Sequence, residues 1–382
     1  MTGQPVHTQW KNTEIIAGFG SFRQVGDLLT KRCAPDTRVA VCLGSNAMRR
    51  LRFLDKLIDN LSQFNVDVID AIKENPTAAS CQSVADTLAV KNYSAVVALG
   101  GGSVIDTAKI ANIAAGTEVT AKGLFERVHP RLKKHAAHFI TIPTTAGTGS
   151  EVTPFATLWD FDGLKKSSLD YPVVAADIAV LDPALTASLP LGLTQSTVAD
   201  SFSHAVESLS NKNANQMSIA LSLRSLELIV TYLPQLLRNL SDTSLRQGIQ
   251  WASLLSGMAI SETRTAAAHA LSYALTLRLG IPHGAAVGAL LPSVFECNVD
   301  CLDTTVRAPL CSLFKAPSGD TLAKNLRDFM ETYGLSPKLA PYGLTATLIN
   351  TIVAESDFTS RLQNNVAALT DNDIYAILEG AL

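Results

Sequence analysis

Cysteine is scarce in this sequence, with six residues spread over 382 positions. Cys297 and Cys301 lie four residues apart, but no second pair of cysteines or histidines accompanies them, as a zinc ribbon would require. The sequence therefore gives no support for a cysteine-based zinc site, and the thiols are interpreted as buried or incidental.

Excess charge and long runs of one residue type are also missing. The chain has 31 Lys and Arg against 34 Asp and Glu, and basic residues adjoin only in short pairs such as Arg49 and Arg50. Nucleic acid would need a larger basic footprint. The first residues lack the basic and then apolar pattern of a signal peptide, and no uninterrupted apolar run is long enough to span a bilayer. We expect a soluble, cytoplasmic protein with no nucleic-acid or membrane partner.

The sequence does contain enough apolar residues, 47% of the total, to bury large cores, and its length favours two domains. The first half alternates strand-like runs with helix-like runs, and helices are expected near 48–62 and at 81–92. This alternation predicts right-handed crossovers onto a largely parallel sheet. The predicted strands are 38–44, 66–70, 93–100, 138–144 and 175–182.

From about residue 190 the apolar residues recur at spacings of three and four, which predicts helices. The expected fold is therefore an α/β domain with a mostly parallel sheet at 1–186, followed by an all-helical domain at 187–382. The boundary is expected between Pro183 and Pro190.

In YSAVVALGGGSVIDTAK an apolar strand runs through three glycines, at 100–102, into a helix. Glycines allow positive φ and close approach of the backbone to a ligand. Ser103 suits the N-cap, and Asp106 would complete a capping box. The helix amides and dipole would favour a phosphate here. The turn matches neither the G-x-G-x-x-G nor the Walker fingerprint, so a purely structural turn stays open.

A second loop of small and polar residues, TIPTTAGTGSEVTPF at 141–155, also follows a strand. Gly147 and Gly149 leave room for a flat ring or a phosphate. A solvated loop with ordinary turn chemistry is the alternative. Two such loops at strand ends favour a cofactor crevice, because ligands of open α/β sheets bind there. The hydroxyls of the loop belong to Thr144, Thr145, Thr148 and Ser150.

The helical half offers one carboxylate and three imidazoles as a candidate metal shell. Asp200 and His204 are four residues apart, so on a helix they share one face. Gly280 and Pro282 end a helical run between the other two histidines, so that both could reach one ion. An ordinary helical Asp–His pair is the alternative. A mixed oxygen and nitrogen set suits Fe²⁺, Zn²⁺ or another divalent first-row ion. The four candidates are Asp200, His204, His269 and His283.

Taken together, these segments resemble the iron-dependent (group III) alcohol dehydrogenase family. GGGSVIDTAK, TIPTTAGTGSEVT, DPALTASLP, the Asp200–His204 pair and the run from His269 to GIPHG follow the family's order over nearly the whole chain. The resemblance implies a dinucleotide-binding α/β domain at 1–186 and a helical metal-binding catalytic domain at 187–382. It also implies NADH or NADPH, and Fe²⁺ or Zn²⁺, as cofactors.

The resemblance further implies roles for individual residues. The glycine turn would hold the pyrophosphate, Asn75 would lie on the adenosine side, and Lys166 would line the nucleotide. The metal would polarise an aldehyde oxygen while hydride passes to or from the nicotinamide. The implied metal ligands are the four candidates above, and the implied cofactor-binding residues are Gly44, Asn75, Gly100, Gly101, Gly102, Ser103, Asp106, Thr144, Thr145, Thr148, Ser150 and Lys166.

Two positions depart from the family pattern. Many members that prefer NAD carry an acid where this chain has Gly44 and Ser45, and Arg49 or Arg50 could attract a 2′-phosphate. We predict that NADPH is accepted, with a preference over NADH as the stronger form of the prediction; the alternative is that both arginines face solvent. Many relatives have a second histidine where this chain has Tyr273, a poor base at neutral pH.

The segments 263–276 and 210–215 look most like the branch that reduces phosphonoacetaldehyde to 2-hydroxyethylphosphonate. Arg264, five residues before His269, could bind the phosphonate or could equally be a surface charge. Together with Tyr273, it is a candidate catalytic residue. Simple alcohols, diols and four-carbon semialdehydes are the alternative substrates.

Two functions other than that of a dehydrogenase are compatible with the same architecture. The first is a lyase related to dehydroquinate synthase, and the second is a metal-free relative kept as a binding protein. The DPALTASLP and GIPHG segments favour a dehydrogenase over the lyase, and the four filled ligand positions argue against a metal-free protein. A homodimer or a higher homo-oligomer is expected.

Overall fold

The computed structural model describes residues 4–44, 46–70, 72–126, 132 and 137–382. The chain divides into two compact units. The first holds the residues up to Thr145, together with Ser150–Asp160 and Lys166–Ser188. The second holds Leu189–Leu382 and two short segments, Ala146–Gly149 and Phe161–Lys165, whose membership the sequence did not indicate.

The first unit contains a seven-stranded sheet with the order β1-β2-β9-β6-β5-β3-β4, and a separate two-stranded sheet pairs β7 with β8. Apart from the antiparallel β1–β2 hairpin, the neighbouring strands of the large sheet run parallel, which confirms the predicted fold class. The strands are β1 (Val6–Trp10), β2 (Thr13–Ala17), β3 (Arg38–Leu43), β4 (Asn65–Ile69), β5 (Ala95–Gly100), β6 (His138–Pro143), β7 (Phe155–Asp160), β8 (Lys165–Asp170) and β9 (Ile178–Leu181).

The two hairpins were not predicted. The β1–β2 turn is formed by Lys11 and Asn12, without the glycine that usually marks such a turn. Lys11 takes the required left-handed conformation, with φ at 50°. Non-glycine residues rarely adopt this conformation, so sequence reading could not locate the turn.

The helices of the first unit cover the sheet. The predicted helix at 48–62 is two helices, because Arg52 between them has φ at 57°. The helix predicted at 81–92 begins earlier, where Thr77 and Ser80 form a reciprocal capping box. These helices are α1 (Val25–Thr30), α2 (Ala47–Arg50), α3 (Phe53–Asn60), α4 (Ala78–Lys91), α5 (Gly102–Ala115) and α6 (Gly123–Glu126).

From Leu191 onward, the regular elements of the second unit are helices, as the spacing of apolar residues predicted. Phe202 lies in its core, stacked on Phe329 with the ring centroids 5.9 Å apart. The helices are α7 (Leu191–Leu209), α8 (Gln216–Leu236), α9 (Thr243–Thr263), α10 (Ala267–Leu279), α11 (His283–Asn298), α12 (Thr304–Leu313), α13 (Gly319–Thr332), α14 (Ala346–Glu355), α15 (Thr359–Leu362) and α16 (Asp371–Gly380).

Within the described ranges, α8 is the one helix long and apolar enough to cross a membrane, judged by length and composition alone. It carries Arg224 and Glu227, whose side chains pair at 2.7 Å. The Ser225 hydroxyl donates to the Ala252 carbonyl of α9 at 2.8 Å. Ile229 is fully buried in the core of the unit. One face of α8 therefore packs against α9 and the core of the second unit.

Candidate active site

Helix α7 carries two of the predicted ligands on one buried face. Asp200 is 3% exposed and His204 is 4% exposed, one helical turn apart. Asp200 Oδ1 lies 3.5 Å from His204 Nε2. Buried carboxylates are costly without a partner, so the surrounding imidazoles explain how this one can be tolerated in the core.

The histidines of α10 and α11 meet the same oxygen atom. Asp200 Oδ1 lies 3.3 Å from His269 Nε2 and 4.0 Å from His283 Nε2. One ligand atom from each of these three residues lies within 4.8 Å of the others. The His204 and His269 rings stack with their centroids 4.8 Å apart. The structure therefore brings the three candidate histidines to within 4.0 Å of Asp200 Oδ1, although the four residues span more than 80 positions of sequence.

The distances from Asp200 Oδ1 to the three imidazole nitrogens are compatible with a divalent ion, and the atoms of Asp200, His269 and His283 also lie within 4.8 Å of one another. Ligands at about 2.1 Å from a tetrahedral ion are separated from one another by about 3.4 Å. The separations from Asp200 Oδ1 range from 3.3 to 4.0 Å. The donor set of one carboxylate oxygen and three imidazole nitrogens suits iron or zinc.

The electrostatics of the cluster favour a cation. Burial alone would raise the pKa of Asp200, but the neighbouring imidazoles outweigh it and hold that pKa below its ordinary range. Burial lowers the pKa of His204 to about 4, so this imidazole is neutral at pH 7. An ionised carboxylate and a neutral imidazole are the forms that bind a metal. Burial would lower the pKa of His269, but Glu207 and Asp200 outweigh burial and raise that pKa to about 10, so this imidazole has to lose a proton when an ion binds.

The break between α10 and α11 positions His283. Helix α10 ends at Gly280, which has φ at 65°, and His283 is the first residue of α11. The sequence predicted this interruption at Gly280 and Pro282. Gly284 then brings α11 close to α7, because a Cβ atom on Gly284 would lie 2.0 Å from the Ser196 carbonyl oxygen.

We predict that Gly284→Ala displaces α11 from α7 and destabilises the protein by about 1–3 kcal/mol, the usual cost of overpacking. It should also lower metal affinity, because His283 adjoins the substituted residue. Gly192→Ala on α7 is the matched control, since a Cβ there would meet nothing within 4 Å. Chemical denaturation and metal titration would measure both effects. Equal behaviour of the two variants would contradict the role of this close approach.

In the first unit, the glycine turn leads from β5 into α5. The helix begins at Gly102, and its N-cap is Gly101, which offers no side-chain cap. The prediction of Ser103 as N-cap with Asp106 as its capping-box partner is therefore wrong, because the helix starts two residues earlier than expected. Ser103 Oγ instead accepts the Asn75 backbone N–H at 3.2 Å. Without a side-chain cap, the first amides of α5 suit a bound phosphate.

Known proteins resemble the chain over its whole length. Residues 12–183 match the family described as iron-containing alcohol dehydrogenase, and residues 194–382 match the C-terminal region of the Fe-containing alcohol dehydrogenase family. The chain belongs to the iron-containing alcohol dehydrogenase family. As a dehydrogenase it is an oxidoreductase acting on CH–OH groups. The lyase and the metal-free binding protein are thereby set aside.

Three proteins to which this chain is similar are named for different substrates. The chain is 30% identical to choline dehydrogenase of Bacillus subtilis over 302 residues, 77% of the chain and 73% of that protein. It is 32% identical to phosphonoacetaldehyde reductase of Streptomyces viridochromogenes over 345 residues, 85% of both. The structure of sulfoacetaldehyde reductase from Bifidobacterium kashiwanohense in complex with NAD⁺ is 26% identical, with a TM-score of 0.88 and 98% of both chains covered.

Family membership confirms the expectation of a metal ion and a nicotinamide dinucleotide at the level of the family. The residue roles remain predictions for this dehydrogenase. Gly44 lies beside α5, because a Cβ there would be 2.7 Å from Val104 Cγ2. The Thr144 N–H donates to the Gly100 carbonyl at 3.0 Å, and the Thr145 side chain packs on Gly101.

Asp106 and Ser150, both predicted near the cofactor, bind each other in the dehydrogenase. The Ser150 hydroxyl donates to Asp106 Oδ1 at 2.5 Å, and the Thr157 N–H donates to Asp106 Oδ2 at 2.8 Å. Lys109, which the sequence did not single out, is fully buried and donates to the carbonyls of Ser150, Thr153 and Phe155. Helix α5 thus anchors the end of the second loop.

Two further predicted cofactor residues, Thr148 and Lys166, belong to different units. Thr148 is half-buried in the segment that groups with the second unit, where the neighbouring Gly149 approaches Gly257 of α9 closely. Lys166 is half-buried on β8 of the first unit. Each of these two residues also makes contacts of its own, and their roles toward the cofactor stay predictions.

Glu207 is the residue of this cluster that sequence reasoning missed. Glu207 Oε2 lies 2.5 Å from His269 Nδ1, and the backbone N–H groups of Ala266 and His269 donate to the two carboxylate oxygens at 3.1 Å. Burial opposes ionisation, but His269 outweighs it and lowers the pKa of Glu207. Glu207 lies three residues after His204 and seven after Asp200, a spacing that places it on the ligand face of α7.

The two candidate catalytic residues lie on either side of the start of α10. The Tyr273 ring stacks on the His283 ring, with the centroids 5.9 Å apart. Arg264, half-buried at the end of α9, has φ at 67° and ψ at 177°, a conformation that is costly for any residue other than glycine. Its Nη1 donates to the Ser261 carbonyl at 2.9 Å.

Proposed function

We propose that this dehydrogenase is a metal-dependent, NAD(P)H-linked reductase of a short aldehyde with an anionic end group, foremost phosphonoacetaldehyde. The first unit would hold the dinucleotide and the second unit the metal. The family membership supports the reaction class, and the buried cluster around Asp200 Oδ1 supports the metal. Iron is the ion we propose, with zinc as the alternative.

The mechanism follows from what these side chains can do. A divalent ion held by Asp200, His204, His269 and His283 would supply Lewis-acid polarisation of the aldehyde oxygen. The uncapped amides at the start of α5 would bind the pyrophosphate and so orient the dinucleotide. Glu207 keeps the Nδ1 proton of His269 and leaves Nε2 facing the other ligands. Tyr273, stacked on His283, would donate a hydrogen bond rather than act as a base at neutral pH.

Arg264 is the observation that favours an anionic aldehyde. Two hydrogen bonds stabilise the strained backbone conformation of Arg264. The Asn211 side-chain amide and the Thr263 hydroxyl donate to the Arg264 carbonyl at 3.2 and 2.9 Å. Arg264 is half-buried and lies two residues before Ala266, the N-cap of α10. A strained backbone conformation that the fold keeps at such a position is typical of functional sites. A guanidinium pairs well with the oxygens of a phosphonate. Two of the relatives are named for aldehydes with a phosphonate or a sulfonate group.

A substrate panel tests this proposal. Purified protein loaded with Fe²⁺ or Zn²⁺ is assayed with phosphonoacetaldehyde, butanal, a diol, a four-carbon semialdehyde and choline. Arg264→Gln should lower kcat/KM for phosphonoacetaldehyde about 10- to 100-fold, because the variant loses a hydrogen bond to a charged group. The kcat/KM for butanal, which has no charged group, should stay unchanged. Arg278→Gln, which removes a cation paired with Glu355 at the end of α10, is the control.

Equal losses for phosphonoacetaldehyde and butanal in Arg264→Gln would contradict an anion-binding role. A higher kcat/KM for choline than for any anionic substrate would contradict the substrate class while leaving the dehydrogenase assignment intact.

A further inference from the structure

Residues 264–266 connect α9 to α10 and need hydrogen-bond donors from elsewhere in the chain. Helix α9 ends at Thr263, and α10 begins at Ala267. Between them, Arg264 has φ at 67° and ψ at 177°. The last carbonyl groups of a helix have no partner inside that helix, so the carbonyls at this connection have to be satisfied by other groups.

Three asparagine side chains supply donors to this connection, one for each of three consecutive carbonyls. The side-chain amides of Asn213, Asn211 and Asn364 donate to the carbonyls of residues 263, 264 and 265, at 3.4, 3.2 and 2.9 Å respectively. We call these three residues the asparagine cluster. Its members come from two segments that lie about 150 residues apart in the sequence.

The two segments that carry the asparagine cluster are fixed to each other and to the core. Asn211 and Asn365 form an antiparallel bridge, and the Lys212 N–H donates to the Asn364 carbonyl at 2.8 Å. The buried side chains of Asn365 and Asn298 exchange two hydrogen bonds, at 2.7 and 2.9 Å. Asn298 is the last residue of α11. The asparagine cluster is therefore anchored in the helical core of the second unit.

The side chain at the strained position is an arginine, although glycine would adopt this φ and ψ without cost. The asparagine cluster stabilises the strained backbone. The guanidinium is also held, because Arg264 Nη1 donates to the Ser261 carbonyl at 2.9 Å. A long side chain that is already ordered loses less conformational freedom when it binds a ligand. Arg264 thus has the properties of a cation that is ordered before its ligand arrives.

We propose that Asn211, Asn213 and Asn364 are positioning residues that hold Arg264 in place for the anionic end group of the substrate. This inference rests on the proposed function, in that Arg264 binds that group. Asn211 has the largest effect, because it is only 5% exposed and bonds to the carbonyl of Arg264 itself. Asn213 has the smallest effect, because it is exposed and its bond is the longest of the three.

The test uses Asn211→Leu and Asn364→Leu, which keep the approximate size of the side chain and remove the donor. The dissociation constant of phosphonoacetate is measured by calorimetry on the metal-loaded protein, and the melting temperature of each variant reports on folding. Asn211→Leu should weaken phosphonoacetate about tenfold, the effect of one hydrogen bond. Its KM for phosphonoacetaldehyde should rise by a similar factor, and by more than its KM for butanal. Asn364→Leu, at a half-buried position, should show the same pattern with a smaller loss.

Asn325→Leu is the matched control. The Asn325 amide donates to the carbonyls of Phe314 and Lys315, at 2.9 and 3.4 Å, and Lys315 has φ at 53°. Asn325 therefore supports a basic residue in the left-handed region of the same unit, at the turn between α12 and α13. Asn325→Leu should lower the melting temperature as Asn211→Leu does, but it should leave the affinity for phosphonoacetate unchanged.

A double variant, Asn211→Leu with Arg264→Gln, separates positioning from a general effect on the fold. If Asn211 acts through Arg264, the double variant should bind phosphonoacetate no more weakly than Arg264→Gln alone. Two losses that multiply would show that Asn211 acts independently of Arg264 and would overturn the inference. An unchanged affinity in both leucine variants, or an equal loss in Asn325→Leu, would overturn it as well.

The same measurements distinguish this inference from the proposed function. Phosphonoacetate binding that depends on both Asn211 and Arg264, without turnover of phosphonoacetaldehyde, would support the positioning role and count against the proposed function. Turnover of phosphonoacetaldehyde that requires Arg264 but not the asparagine cluster would count against the inference alone. Failure of the unaltered protein to bind phosphonoacetate would overturn both.

Discussion

Asp200→Asn should abolish metal binding and lower kcat/KM for the aldehyde at least about 1000-fold. Asp200 Oδ1 is the atom that all three histidine Nε2 atoms surround, at 3.3 to 4.0 Å. The amide keeps the shape of the side chain but removes the negative charge that balances the ion. Lewis-acid catalysis contributes several kcal/mol, and each 1.36 kcal/mol is a factor of ten in rate.

Metal content by mass spectrometry and steady-state kinetics would measure this effect. Asp328→Asn is the control, because Asp328 is an exposed carboxylate of the same unit whose partner is Lys324. Added Fe²⁺ or Zn²⁺ should not restore the Asp200→Asn variant, since the first ligand itself is changed. A variant that keeps stoichiometric metal and full turnover would show that the cluster around Asp200 is not the metal site.

Glu207→Gln should weaken metal binding by about 10- to 100-fold, the usual cost of losing a carboxylate behind a histidine ligand. Glu207 accepts from His269 Nδ1 and from two backbone amides at the start of α10. Glutamine keeps one acceptor oxygen, so it cannot satisfy the three donors that the carboxylate binds. His269 would then lose the partner that fixes its tautomer and ring orientation.

Unlike Asp200→Asn, Glu207→Gln should regain most of its kcat when the metal concentration is raised, because all four proposed ligands remain. Competition with a chelator would give the metal affinity, and thermal unfolding with and without metal would report on folding. Glu227→Gln, in an exposed pair with Arg224 on α8, is the control. An unchanged metal affinity in Glu207→Gln would show that the carboxylate serves only to cap α10.

Much of this protein could be predicted from local patterns. Alternating strand and helix signals gave the parallel sheet, and the apolar spacing after residue 190 gave the helical unit. The helix break at Gly280 and Pro282 was also predicted, since glycine in the left-handed region and proline end helices wherever they occur. The hairpin at Lys11 was not, because its positive φ is carried by a lysine.

Side-chain partners that are distant in sequence needed the tertiary structure. The sequence placed Asp106 in a capping box and Ser150 in the nucleotide loop, yet they bind each other across 44 residues. Lys109 anchors the same loop from within α5, although its sequence neighbours indicate only an apolar helix. Tertiary packing brings such groups together. The spacing of apolar residues along the chain does not indicate which distant side chains will meet.

The metal shell shows the same division between sequence and structure. Residue types in the sequence named Asp200, His204, His269 and His283 as candidates, because one carboxylate and three imidazoles are competent ligands wherever they meet. Only the packing of α7 against α10 and α11 decided that they surround one oxygen atom, and that Glu207 stands behind His269. Ligand chemistry resides in single side chains, whereas a coordination geometry requires three helices to be held at fixed distances.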